Sequence, residues 1–197
     1  MYMISDNRYR GCFFCKTGKE AEVVQRFRRE FPNSRAIFPT CTHYRRTKEE
    51  AFEVHVPLLP GYVFFEMKAG EEPTPSPVDD DFAGRPEGGD NALTAFSCTN
   101  HVLKLLRYSN QEWRLHGPDD SFAKLLFDAG GDIDTSQAYF DEGDRIRILG
   151  GFLKDYEGSI TRVNRKKRTV EVVVDFQDKR VNMRLGYELV AGVERQN

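Results

Sequence analysis

The sequence predicts an α+β fold: an antiparallel sheet with flanking helices, followed by a small β-barrel. Two observations predict it. Up to Met67 the apolar residues follow the order strand, helix, strand, strand, strand, with one amphipathic helix near the start. From Asp141 onward the alternation has a period of two, in "DRIRIL", "GSITRV", "TVEVVV" and "RVNMRL", separated by "GGFLKDYEG", "NRKKR" and "FQDK". That second pattern implies a barrel of about five strands, and the two patterns divide the chain into a first domain over 8–136 and a second over 140–194.

Gly11 to Cys15 reads as the first strand, and "TGKEAEVVQRFRREFP" as the helix after it. Thr17 and Glu20 have the T-x-x-E spacing of a capping box. Ala21, Val24, Phe27 and Phe31 recur at helical spacing for a core face, Lys19, Glu22, Arg26 and Arg29 fall on the other side, and Pro32 ends the run. "SRAIFP" and "AFEVHVPLL" read as strands, with the polar "THYRRTKEE" as a loop between them. "LLPGYVFFEM" then ties an apolar strand to a Pro-Gly turn, and alternation puts Val63 and Phe65 on one face, Tyr62 and Phe64 on the other. The next segment, 68–97, carries four prolines and seven acidic residues against Lys68 and Arg85, which predicts a disordered insertion. "HVLKLLRY" restores a strand, and "GPDDSFAKLLFDAGG" a short helix with acidic residues at its start and Gly130 and Gly131 at its end.

Composition narrows the function classes. The chain has 197 residues and 39% hydrophobic content, enough to build a core in either domain. No apolar run is long enough for a membrane span and no export leader is visible, so the expectation is a cytoplasmic protein. Four cysteines are too few and too unevenly spaced for a disulfide framework. Cys12 and Cys15 lie three apart on a strand and point to opposite faces, so they cannot share a metal geometry. The four histidines are dispersed, and no nucleophile elbow, phosphate loop or ligand spacing is present. The expectation is a non-enzymatic protein with no cofactor and no metal.

A net charge of −2 gives no argument from a globally basic chain, so any nucleic-acid contact must be local. One local excess exists. Arg162, Arg165, Lys166, Lys167, Arg168, Lys179, Arg180 and Arg184 stand against Glu171, Asp175 and Asp178 over 162–184. Such a cluster either keeps sheet edges soluble or contacts a phosphate backbone. Arg45, Arg46 and Lys48, beside His43 and Tyr44, form a second basic group that either continues that surface or is a solvated loop.

"LLPGYVFFEM" followed by "EGDRIRILGGFLKDYEGSITRVNRKKRTVEVVVDF" resembles the NusG family of transcription elongation factors, with an N-terminal NGN domain and a C-terminal, SH3-like KOW barrel. Within the family, "CKTGKE", "LLRYSNQEWRLHGPDDSFAKLLFDAGG" and "GGFLKDYEG" are similar to the LoaP antiterminator paralogs. The resemblance implies that Leu59, Pro60, Tyr62, Phe64 and Phe13 face the clamp helices of RNA polymerase. It also implies that the basic residues hold a nascent leader RNA hairpin, and that a monomer suppresses pausing and termination on specific operons. Phe152, Tyr156 and Gly158 match the KOW loop that in general elongation factors meets ribosomal protein S10 or Rho, and Thr99 and Asn100 fall near non-template DNA. One departure stands out: Arg10 and Gly11 replace the usual Trp-Tyr of the first strand, so part of the pocket wall is missing or is rebuilt by Tyr9 and Phe13. In the related RfaH the C-terminal domain can be helical, whereas the β-branched "TVEVVV" favours strands here.

Overall fold

Strands and helices follow the apolar pattern closely enough to fix most of the architecture. A computed structural model describes residues 8–46, 50–68 and 90–190. In chain order these form β1 (Arg8–Cys15), α1 (Glu20–Glu30), β2 (Arg35–Ile37), β3 (Thr40–Arg46), β4 (Ala51–Pro57), β5 (Tyr62–Lys68), α2 (Asp90–Ser97), β6 (Val102–Leu105) and α3 (Gly117–Asp128). There follow β7 (Asp132–Ile133), β8 (Ser136–Phe140), β9 (Ile146–Gly150), a 3-10 segment (Phe152–Ser159), β10 (Ile160–Asn164), β11 (Thr169–Phe176) and β12 (Lys179–Leu189). The chain divides into two compact units, Met1–Phe38 with Pro60–Phe127 and Pro39–Leu59 with Asp128–Asn197.

The first unit is a four-stranded sheet in the order β2-β5-β1-β6. One face carries an aromatic core in which Phe13 lies 4.8 Å from Phe65, 5.1 Å from Phe96 and 5.9 Å from Phe27, ring centre to ring centre. Offset and edge-on rings at these distances gain beyond the area they bury. Helix α1 supplies Val23, Val24 and Phe27 to this core. Ala21, expected there, is exposed, because the buried stripe runs through Glu20, Val23, Val24 and Phe27 instead. The expected capping box is also absent: Lys19 is the N-cap, without a side-chain cap bond. Glu20 turns away from the helix start, and its carboxylate accepts a 2.8 Å bond from the Gly61 backbone N–H.

The second unit holds two sheets, a five-stranded one in the order β10-β11-β12-β8-β9 and a three-stranded one in the order β4-β3-β7. Its core is aliphatic in the main, with Ile148, Leu153, Val170, Val172, Met183 and Leu185 buried. The first part of the polar segment expected as a loop, Thr42–Arg46, belongs to β3, which is paired residue for residue with β4 from Thr40–Pro57 to Arg46–Ala51. Cross-strand pairing of Cys41 with Val56 and of Thr42 with His55 overrides its low apolar content. Hydrogen bonds from Cys41 Sγ (3.2 Å) and His43 Nε2 (3.0 Å) converge on the Arg184 carbonyl. Together with the parallel β3–β7 pairing, they explain why residues 39–59 group with the C-terminal strands and not with an N-terminal domain over 8–136.

Most of the insertion expected to be disordered lies outside the described residues, but its last part does not fit that expectation. Asp90–Ser97 is α2, which buries Leu93 and Phe96 in the aromatic core. The isolated pair of apolar residues in a polar run hid a helix that tertiary packing supports. The cysteines are all free, with Cys12, Cys15 and Cys41 buried and Cys98 exposed. No helix among the described residues is long and apolar enough to cross a membrane, and none of their His, Cys, Asp and Glu side chains form a metal-binding group of three or more.

Candidate protein and nucleic-acid surfaces

The Pro-Gly turn of the first unit is built by backbone geometry. Gly61 has φ of 85°, and its carbonyl accepts from the Cys15 N–H at 2.7 Å. A Cβ there would stand 3.0 Å from both the Cys15 carbonyl oxygen and Phe14 Cε2, so only glycine fits. The turn and the Glu20 bond deliver Tyr62 opposite Phe14, its cross-strand partner, with the rings edge-on at 5.3 Å. Both rings are half-buried, and Pro60 beside them is exposed. Phe14 was not among the residues picked out by sequence; its place opposite Tyr62 in the β1–β5 register is the signal that finds it.

Three of the five residues expected to face the polymerase are buried instead. Phe13 belongs to the aromatic core and Leu59 is 2% exposed. Phe64 does lie across the sheet from Val63 and Phe65, but that face is covered too, with Phe64 packed against Phe122 at 6.0 Å. Alternation predicted the two faces and missed that α3 covers the second one.

Arg10 and Gly11 are likewise structural. Arg10 is 4% exposed, and its Nε donates to Glu66 at 2.9 Å while its Nη1 reaches Asp120 at 3.1 Å. Glu66 also takes Arg8 at 2.7 Å and Arg35 at 3.3 Å. Gly11 leaves room for the Phe65 ring, whose Cζ would lie 2.3 Å from a Cβ at that position. Phe13 is enclosed in the core and rebuilds no pocket wall, while Arg10 and Gly11 give the strand an ion network and a ring-sized gap.

In the second unit the basic residues divide. Arg162, Glu171 and Arg184 stand directly opposite one another across β10, β11 and β12, with Arg184 bonded to Glu171 at 2.9 Å. With Asn164, Lys167 and Thr169 they line one polar cleft. The turn 165–168 contributes Lys167 to it and is shaped by the Lys167 N–H donating to Asn164 Oδ1 at 2.9 Å and by the positive φ of Arg168. Arg165 looks elsewhere, paired with Asp144 at 2.6 Å and stacked 4.0 Å over Phe140. Lys166 is exposed on the turn. Lys179 and Arg180 lie at the opposite end of β11, across from Phe176 and Asp175. From Glu171, which faces Arg162 and Arg184, to Asp175, which faces Arg180, is four residues of strand, roughly 13 Å at ~3.3 Å each, so Lys179 and Arg180 lie beyond the cleft at the far end of the same strands. Arg45 and Arg46 are on β3 and not on a loop, and Lys48 lies outside the described residues.

The 3-10 segment places Phe152 and Tyr156 in a stack at 5.2 Å, with Gly158 exposed near its end. Burial, then the Asp155 charge, pushes the Tyr156 hydroxyl up to about 12. Thr99 is tied to Arg26, which also donates to the Asn100 carbonyl at 3.1 Å.

A family model described as transcription termination factor NusG matches residues 12–112, more than half of the chain. The chain belongs to the NusG family. The matched stretch contains the Pro-Gly turn, the Phe14–Tyr62 pair and the aromatic core of this family member. The transcription termination/antitermination protein NusG of Thermus thermophilus is 24% identical over 142 residues, 68% of this chain and 66% of that protein, so the match spans just under two thirds of the relative's length. A solved structure titled "Domain interaction in Thermotoga maritima NusG" aligns over 91% of this chain and 93% of its own at 16% identity, with a TM-score of 0.45.

Proposed function

We propose that this NusG-family chain is a transcription elongation and antitermination factor of the LoaP kind. In this reading it binds the clamp helices of RNA polymerase through its first unit, taken to be the NGN domain, and a nascent leader RNA through its second, taken to be an SH3-like KOW barrel. The observation that carries it is the cleft lined by Arg162, Lys167 and Arg184, a cationic surface on a chain of net charge −2. The Phe14–Tyr62 pair beside Pro60 supports the polymerase contact, since half-buried aromatics fixed by a turn act as binding anchors. Catalysis plays no part. Binding an elongating complex better than a paused one is sufficient to suppress pausing and termination.

The test is binding to a pool of structured leader RNAs across a salt series, with Arg162, Lys167 and Arg184 changed to Ala together. Selective capture of a hairpin by the native chain, lost in the variant, is the expected result. Uniform weak binding with only a salt slope would refute RNA specificity and favour the second reading, a general elongation factor. The stacked Phe152–Tyr156 pair supports that reading as a contact for ribosomal protein S10 or Rho.

A further inference from the structure

The cleft of the second unit holds a carboxylate where a pure phosphate site would hold none. Glu171 sits in the middle of the row, a guanidinium on either side, and is 34% exposed. A negative charge at the centre repels phosphate, so charge alone does not account for the row. Its hydrogen-bonding sense does. Read across the strands, Arg162, Glu171 and Arg184 present donor, acceptor, donor. The complementary edge is acceptor, donor, acceptor, which among RNA bases is the Watson–Crick edge of uracil: O4, N3–H, O2. Cytosine would set its unprotonated N3 against the carboxylate, and adenine its N1.

Resting on the RNA reading above, we infer that this cleft reads a single unpaired uracil, with Glu171 accepting from N3–H and the two arginines donating to the flanking carbonyl oxygens. The cleft is about 180 Å3, of a size for one base and not for a helical stem. Single-stranded and loop nucleotides are the ones whose Watson–Crick edges are open to such reading. The row is also held in place. The Arg184 backbone carbonyl takes the bonds from Cys41 and His43, and its guanidinium is fixed by Glu171 at 2.9 Å. Asn164 is occupied in shaping the turn that carries Lys167, and Lys167, which also lines the cleft, supplies the cation for the phosphate of the bound nucleotide.

The experiment measures binding of the full chain to labelled rU6, rC6, rA6, dT6 and dC6, which carry equal phosphate charge. The native chain is expected to prefer rU6 over rC6 and rA6 by about tenfold or more, the usual size of a good base contact, and dT6 over dC6 likewise, because thymine has the same edge. Glu171→Gln replaces the central acceptor with a group that also donates; it should erase or reverse the uracil-over-cytosine preference while raising affinity for every oligonucleotide. Lys167→Ala should weaken all five alike and keep the preference. Equal binding of all five by the native chain overturns the inference and leaves the RNA reading standing. So does a Glu171→Gln variant that tightens all five with the preference intact, since the carboxylate would then only offset charge. A preference confined to the ribose pair also overturns it, because thymine presents the same Watson–Crick edge as uracil and should be preferred over cytosine in deoxyribose too. Absence of any salt-dependent binding defeats the RNA reading itself.

Discussion

Each unit contains the same cross-strand row, Arg–Glu–Arg, in opposite circumstances. In the first unit Arg10, Glu66 and Arg35 stand opposite one another across β1, β5 and β2. In the second Arg162, Glu171 and Arg184 do so across β10, β11 and β12. Glu66 is 4% exposed and takes three arginines, whereas Glu171 is 34% exposed and is bonded by Arg184. A buried carboxylate must be fully bonded to be tolerated, and once bonded it holds its strands together and is closed to any ligand. A carboxylate half in water carries little of the sheet's stability and keeps acceptor capacity for something else. The pattern of residue types is thus silent about role; the covering of the sheet face decides it.

Breaking the buried row gives the largest effect. Glu66→Ala leaves Arg10 enclosed without its main partner, and removal of one member of a buried pair costs about 3–5 kcal/mol. Urea or thermal unfolding of the variant should show that loss, with the first unit's aromatic signals moving first. A change of under ~1 kcal/mol would mean that Asp120, 3.1 Å from Arg10, can take over the charge alone.

The core thiols give a smaller effect and a pH window. Burial pushes Cys15 up to about 11 and Cys41 up to about 12, from an ordinary value near 9.0, with Glu20 and Asp132 adding to the two shifts. The folded chain keeps these protons while the unfolded chain releases them, so stability is full below pH about 9 and falls as pH rises from there toward 11 and 12. On the acid side burial lowers His43, so the folded state resists its protonation and stability falls as pH drops below the ordinary imidazole range. Replacing Cys15 with Ala should make the alkaline limb shallower in a pH series of unfolding midpoints; an unchanged limb would assign it to Cys41, Cys12 and the buried tyrosines instead.

Much of this was legible in the chain. Periodicity gave the order of strands around α1, the two-residue alternation of the second unit and the opposite faces of Val63 and Phe64. What it could not give was cover. Phe64 and Phe13 read as available aromatics because nothing local says that α3 lies over one and α1 and α2 over the other. The stretch from Thr42 read as a loop because its residues are polar, yet pairing with β4 makes Thr42–Arg46 part of a strand. Glu20 read as a cap because spacing alone cannot show that its carboxylate binds Gly61, 41 residues away. The basic cluster was visible as a sum, but which of its members line the cleft depends on the end of β11 that each one faces.

The exposed row gives the smallest stability effect and the sharpest contrast. Glu171→Ala removes a carboxylate whose partner, Arg184, is 56% exposed and returns to water without penalty. The expected change in unfolding free energy is within about 0.5 kcal/mol, as for other surface pairs. If the same substitution in the second unit cost as much as Glu66→Ala in the first, the row would be a structural clamp in both places and its cleft a by-product of the sheet. A near-zero cost, measured beside the large one, instead frees Glu171 from any need of the fold. With the fold excluded, what is left for Glu171 is either to offset the arginines on both sides or to accept from a ligand, and the Glu171→Gln binding series separates those two roles.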